Sequence, residues 1–203
     1  MAMAVYPGSF DPITLGHIDI IRRIQPILGE ITLVISNSST KKSLFTADER
    51  KHLAEKALKG VPGVTVAVHE GLTVDYVKGL KARVIVRGLR AVSDYEYELV
   101  MANMNKKLAP NVETMIVFAS PEFYYVSSNT VKEVAMNGGS VKNLVPPNVA
   151  RALREKFAGH LGKLRERQKA SAAKPVIATK TTAKVAPKAA PKVTTTKKKA
   201  RSN

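Results

Sequence analysis

Residues 4–17 read Ala4-Val5-Tyr6-Pro7-Gly8-Ser9-Phe10-Asp11-Pro12-Ile13-Thr14-Leu15-Gly16-His17. The apolar start makes a short strand, and Pro7-Gly8 stops it. After the loop, His17 opens a segment that places Ile20, Ile21, Ile24 and Leu28 at helical spacing. Strand, glycine-bearing loop and helix in that order are the first half of a βαβ unit. Pro26 is expected to end or distort the last turn of that helix, because it lacks the N–H and crowds the preceding turn.

The alternation continues outward. Residues 31–35 form an apolar strand, and Thr46-Ala47-Asp48-Glu49 is a capping box for a helix ending near Gly60. A β-branched strand follows at 64–68, a short helix at 73–81 and an apolar strand at 84–86. Residues 94–108 read as a helix with Leu99, Met101, Met104 and Leu108 among its apolar positions, and 114–119 as a fifth strand. Ser127 or Ser128 caps a helix stopped by Asn137-Gly138-Gly139, and a last helix covers about 148–160. Five strands separated by helices predict an α/β fold: a Rossmann-like, doubly wound five-stranded parallel sheet with helices on both faces.

Composition sets the boundaries. The 203 residues carry 33 Lys and Arg against 16 Asp and Glu, a net charge of +17. There is no Cys, which excludes a disulfide scaffold, a Cys-ligated metal and a cysteine nucleophile. No apolar run reaches the length of a membrane span. Residues 1–7 show no basic segment ahead of their short apolar run, so no signal peptide and a cytoplasmic location are expected. Residues 168–203 hold nine Lys, one Arg, nine Ala, six Thr and three Pro, with no acid and no Leu, Met, Phe or Tyr. Such a segment buries too little to offset its ordering entropy, so 168–203 is expected to be a disordered basic tail. Residues 1–167, the expected folded domain, keep 23 basic and 16 acidic residues, a net +7.

Parallel sheets bind ligands beyond the carboxyl ends of their strands. Here those positions gather glycines, hydroxyls and cations: Gly8-Ser9-Phe10 after the first strand, Lys41-Lys42 after the second, Arg87-Gly88-Leu89-Arg90 after the fourth, and Ser127-Ser128-Asn129 at a helix start after the fifth. Each alone has an ordinary reading as a cap, a solvated charge or a turn. Together they suit an anion such as phosphate. A GxGxxG after the first strand and a GxxxxGK[ST] loop are both absent, against a dinucleotide oxidoreductase or a P-loop kinase.

The stretch 6–17 resembles the first motif of the nucleotidyltransferase superfamily whose hallmark is His-x-Gly-His, with Thr14 in place of the first His. That replacement, with Arg87-Gly88-Leu89-Arg90, the acidic aromatic run 94–98, the run from Lys41 to Arg50 and Val131-Lys132-Glu133-Val134, is similar to the phosphopantetheine adenylyltransferase family over about residues 3–160. The resemblance implies reversible transfer of the adenylyl group of ATP to 4′-phosphopantetheine, giving dephospho-coenzyme A and pyrophosphate. It implies Mg²⁺ as cofactor without a protein metal site, and a homohexamer. A phosphate nucleophile is already anionic, so the chemistry asks for alignment and charge neutralisation rather than a general base.

Residue roles are carried by the same resemblance. His17 stabilises the transition state, with Gly16 leaving room for close approach, and Lys41 and Arg87 clamp the acceptor phosphate with Ser9. ATP meets Ser9, Phe10, His17, Gly88, Leu89, Arg90 and Glu98, and the segment Phe123, Tyr124, Tyr125, Val126, Ser127, Ser128 and Asn129 closes over it. Leu72, Thr73, Met104 and Asn105 line the pantetheine arm. The competing reading is a nucleic-acid-binding protein that uses the basic tail on an inactive transferase fold. Even on the enzyme reading, the tail is expected to attract polyanions weakly.

Overall fold

The computed structural model describes residues 3–37 and 42–172. Five strands, β1 (Met3–Gly8), β2 (Glu30–Asn37), β3 (Val64–Glu70), β4 (Val84–Leu89) and β5 (Glu113–Phe118), form one sheet in the order β3-β2-β1-β4-β5. Every pairing is parallel. The helices are α1 (Leu15–Leu28), α2 (Ala47–Ala57), α3 (Thr73–Gly79), α4 (Val92–Leu108), α5 (Ser128–Met136) and α6 (Pro147–Ala172).

The two-residue period of the strands divides the core. Ala4, Tyr6, Ile31, Leu33, Ile35 and Val86 face a large cluster with the apolar stripe of α1 and residues of α2, α5 and α6. Val5, Val34 and Ile85 face a smaller one with Val74 and Val77 of α3 and Ala109 and Val112 after α4. Helices therefore cover both faces, but unequally.

Most element ends lie within a few residues of the sequence reading, and three places carry physical content. Pro26 lies inside α1, which runs on to Leu28, with the Gln25 amide donating to the Gly29 carbonyl at 3.0 Å. Proline there gives up the bond its N–H would make to the Arg22 carbonyl, but so close to the C-terminal end little helix remains beyond it to be disturbed. Helix α6 continues past His160 to Ala172, through the first five residues expected in the tail. Apart from Gly162 and Ser171, its extension is built of Leu, Lys, Arg, Glu, Gln and Ala, strong helix formers. The third place matters most: β4 does not stop at Val86 but carries Arg87, Gly88 and Leu89 as strand residues, paired with Ile116, Val117 and Phe118. Residues 173–203 of the expected tail lie outside the described residues, as does Lys41.

The capping box of α2 is formed: Thr46 Oγ1 accepts from the Glu49 N–H at 3.2 Å, and Glu49 accepts the Thr46 N–H at 2.8 Å. Thr46→Ala should lower stability by about 1 kcal/mol, the usual worth of such a cap. Urea unfolding of the two proteins measures it, and an unchanged midpoint would contradict it.

Candidate active site

At the centre of the sheet β1 and β4 pair over only two positions, Ala4 with Val84 and Val5 with Ile85. Beyond them, at the strands' carboxyl ends, lies a cavity of about 420 Å³. Its walls come from four places in the chain: Tyr6 to Phe10, Thr14 to Ile20, Arg87 to Glu98 and Ala119 to Asn129 contribute residues. This is the reversal point of the strand order, where the loops leaving neighbouring strands diverge and a crevice opens.

His17 is held by the residue that caps its own helix. Its Nδ1 accepts the Thr14 N–H at 3.0 Å and lies 3.0 Å from Thr14 Oγ1, while Thr14 Oγ1 accepts the His17 N–H at 3.4 Å. Because Nδ1 accepts from a backbone N–H, the neutral ring carries its proton on Nε2. Burial first, then the nearby Arg90 and Arg87 charges, lower the His17 pKa to about 4. The ring is therefore a neutral donor at physiological pH. We expect NMR titration to show His17 ring protons moving near pH 4; a midpoint near 6.5 would mean a freely solvated ring. The unfolded chain takes up that proton near pH 6.5 and the native state refuses it, so stability falls as pH drops from about 6.5 to about 4.

Arg87 and Glu98 form a fork-to-fork pair, with Nε and Nη2 each 2.7 Å from a carboxylate oxygen. Arg87 Nη1 donates to the Pro7 carbonyl at 2.8 Å, bridging β4 to β1 where the ladder has ended. Burial works against the Arg87 charge, but the Glu98 carboxylate outweighs it and the guanidinium pKa is raised. Arg90 is steadied by Asp94, with Nε 3.1 Å from Oδ2.

At the opposite wall, Ser127 caps α5 by accepting the Thr130 N–H at 2.9 Å. Ser128 Oγ donates to the Pro12 carbonyl at 2.8 Å. Both hydroxyls thus have protein partners, and the start of α5 also offers its unpaired N–H groups to an anion. A Cβ on Gly16 would sit 3.3 Å from Phe123 Cβ, so the missing side chain lets Phe123 close on the start of α1.

The first loop is fixed from below. Asp11, 4% exposed, accepts the Leu44 and Phe45 N–H groups at 2.9 Å each and Lys132 Nζ at 3.0 Å. The buried Arg50 donates to the Ser9 carbonyl at 2.7 Å, the Ser36 carbonyl at 3.1 Å and Asn37 Oδ1 at 3.0 Å. Loop, β2 end and α2 start are one rigid corner.

Of the residues singled out from sequence, Ser9, Phe10, His17, Arg87, Gly88, Arg90, Glu98, Phe123, Val126, Ser127, Ser128 and Asn129 line the cavity together. Leu89 is buried in the fold instead. Tyr124 and Tyr125 are exposed and stack edge to face at 5.5 Å. Leu72 caps α3, Thr73 begins it, Met104 is exposed on α4 and Asn105 is buried there; none lines this cavity. The structure adds Tyr6, Asp94 and Tyr97. The Arg90 to Asp94 spacing of four was a legible hint for Asp94.

Among the described residues no three His, Asp or Glu side chains cluster to hold a metal. The cavity's carboxylates, Asp94 and Glu98, are engaged by arginines. A crevice at the switch point of a parallel sheet, lined by a neutral histidine donor, two arginines and a helix start, suits an α/β protein that takes the phosphates of a nucleotide. Residues 5–134 match the cytidylyltransferase-like family profile. A phosphopantetheine adenylyltransferase of Bdellovibrio bacteriovorus is 61% identical over 155 residues, covering 76% of this chain and 97% of the relative. One from Thermotoga neapolitana is 56% identical over 155 residues, covering 76% and 96%. The chain belongs to the phosphopantetheine adenylyltransferase family.

Proposed function

We propose that the chain moves the adenylyl group of ATP reversibly onto 4′-phosphopantetheine, yielding dephospho-coenzyme A and pyrophosphate. The carrying observation is the His17 ring, locked by Thr14 with Nε2 as its donor, in the same cavity as two arginines and the α5 start. The acceptor phosphate attacks the α-phosphorus in line, and no covalent enzyme intermediate is needed. His17 donates to the charge growing on the α-phosphoryl oxygens, where a fixed donor helps the transition state more than the ground state. Arg90 and the α5 N–H groups take the nucleotide's phosphates, and Ser9, Arg87 and Lys41 the acceptor's. Lys41→Ala should then impair acceptor use more than ATP binding, as calorimetric titration of ATP would reveal.

The carboxylates of the cavity are already paired with arginine, so Mg²⁺ fits as a passenger on the nucleotide, held by phosphate oxygens and water. It would supply charge neutralisation on the phosphate chain. Pyrophosphate release from ATP, tested with a panel of phosphorylated acceptors, decides the reading. Release dependent on 4′-phosphopantetheine supports it, and release with a nucleotide or glycerol phosphate instead overturns it.

Assembly as a homohexamer is supported by apolar surface on the thinly covered sheet face. Val100 on α4 is 62% exposed and Phe118 on the edge strand β5 is 69% exposed, with Leu99, Met104 and Leu108 of α4 also exposed. Sedimentation velocity on the wild type and Val100→Asp tests it. No helix among the described residues is long and apolar enough to cross a membrane, which accords with a cytoplasmic reaction. The ten basic residues of 168–203 support weak polyanion attraction, with a log–log salt slope of roughly −4 to −7 on duplex DNA. Deleting 173–203 should leave transferase activity intact. A nucleic-acid-binding role on an inactive fold is not favoured, because the cavity and its donors are assembled.

A further inference from the structure

Tyr6 is fastened by its ring and not by its hydroxyl. The side chain is 4% exposed in the large core cluster. Its ring meets Phe10 edge-on at 5.4 Å and His17 at 6.4 Å, and Phe10 meets His17 at 5.0 Å. Among the described residues the hydroxyl forms no hydrogen bond, and none of their side-chain polar atoms is both sealed from solvent and without a partner. The hydroxyl therefore opens into the cavity that Tyr6 lines. It lies 3.1 Å from the place a Cβ on Gly88 would take, on the cavity floor at β4. A tyrosine so deeply placed normally finds a partner for its O–H. Here the partner it faces is the ligand space.

We propose that Tyr6 is a further catalytic residue, its hydroxyl donating a hydrogen bond to a phosphoryl oxygen of the bound nucleotide beside the one served by His17. Burial, the largest influence, raises its pKa above the ordinary tyrosine range despite the Arg87 and Arg90 charges, so the O–H stays a donor across the working pH range. With Ile20 Cδ1 2.7 Å and Tyr6 Oη 3.1 Å from a Cβ at residue 88, glycine there is what lets this hydroxyl stand beside β4. The inference rests on adenylyl transfer as the reaction.

Tyr6→Phe removes one oxygen and keeps the packed ring. Measured beside the wild type with ATP and 4′-phosphopantetheine, it should lose about tenfold or more in kcat, with both KM values within about twofold. Its thermal midpoint should stay within about 2 °C, because ring and core are unchanged. A kcat within twofold of wild type overturns the proposal. So does a rise in the ATP KM at unchanged kcat, which would make the hydroxyl a ground-state contact, or a midpoint several degrees lower with kcat restored in the cold, which would make it structural. Absent turnover by the wild type itself would instead sink the functional reading, and this inference with it.

Discussion

Replacing His17 by alanine should cut kcat by roughly 10²–10³-fold, the scale on which single transition-state donors act. The ring is neutral, oriented by the Thr14 N–H, and presents Nε2–H to the cavity. Alanine removes that donor from the cavity. Both KM values should move only severalfold, since the ground-state phosphates retain Arg90, Arg87 and the α5 start. The helix start should survive, because Thr14 Oγ1 still accepts the residue-17 N–H. Steady-state kinetics with a parallel unfolding curve make the measurement, and a variant near wild-type kcat removes His17 from the chemistry.

Arg87→Met should give the largest loss of stability. It strands Glu98, whose side chain is 8% exposed and whose two oxygens both bond to the guanidinium. An uncompensated carboxylate at such a place costs about 3 kcal/mol, the low end for a buried pair because Arg87 itself is 25% exposed. For a chain of this size that is about 6–12 °C in Tm. The double variant Arg87→Met/Glu98→Leu should recover most of that stability, as buried pairs exchanged for apolar groups generally do. Activity should stay lost in both, because the acceptor clamp is gone. Equal stability of Arg87→Met and wild type would show that the pair does not hold the fold.

What the sequence disclosed was whatever is settled locally. The Thr46 to Glu49 box lies within one turn, and the strand-loop-helix unit at 4–17 carries its own punctuation, so both were legible. The cavity's composition was legible because strand ends of a parallel sheet share an edge. The end of β4 was not. Arginine and glycine after Val86 look like a loop, and only the docking of α4 supplies the carboxylate that lets Arg87 remain in a strand. Arg50 was likewise hidden: it reads as one charge of a polar helix, yet its guanidinium is buried against carbonyls of two other segments. Tyr6 looked like strand filler, since nothing in a linear pattern tells which end of a buried tyrosine meets a void. On α4 the apolar positions were found, but their exposure depends on which sheet face is thinly covered.

The strand order also dictates when the site comes into being during synthesis. The first 70 residues contain β1, β2 and β3, which are neighbours and close over short stretches of chain. The other bank of the crevice, Arg87 to Glu98, emerges only afterwards, and the α5 start later still. As chains emerge N-terminal end first, a nascent polypeptide halted before residue 84 already owns His17, its Thr14 tether and the Asp11 side chain, but has no opposing wall. Messages broken before the codon for residue 84 would therefore release products with three of the five strands and an open β1 edge, a surface suited to aggregation and to degradation.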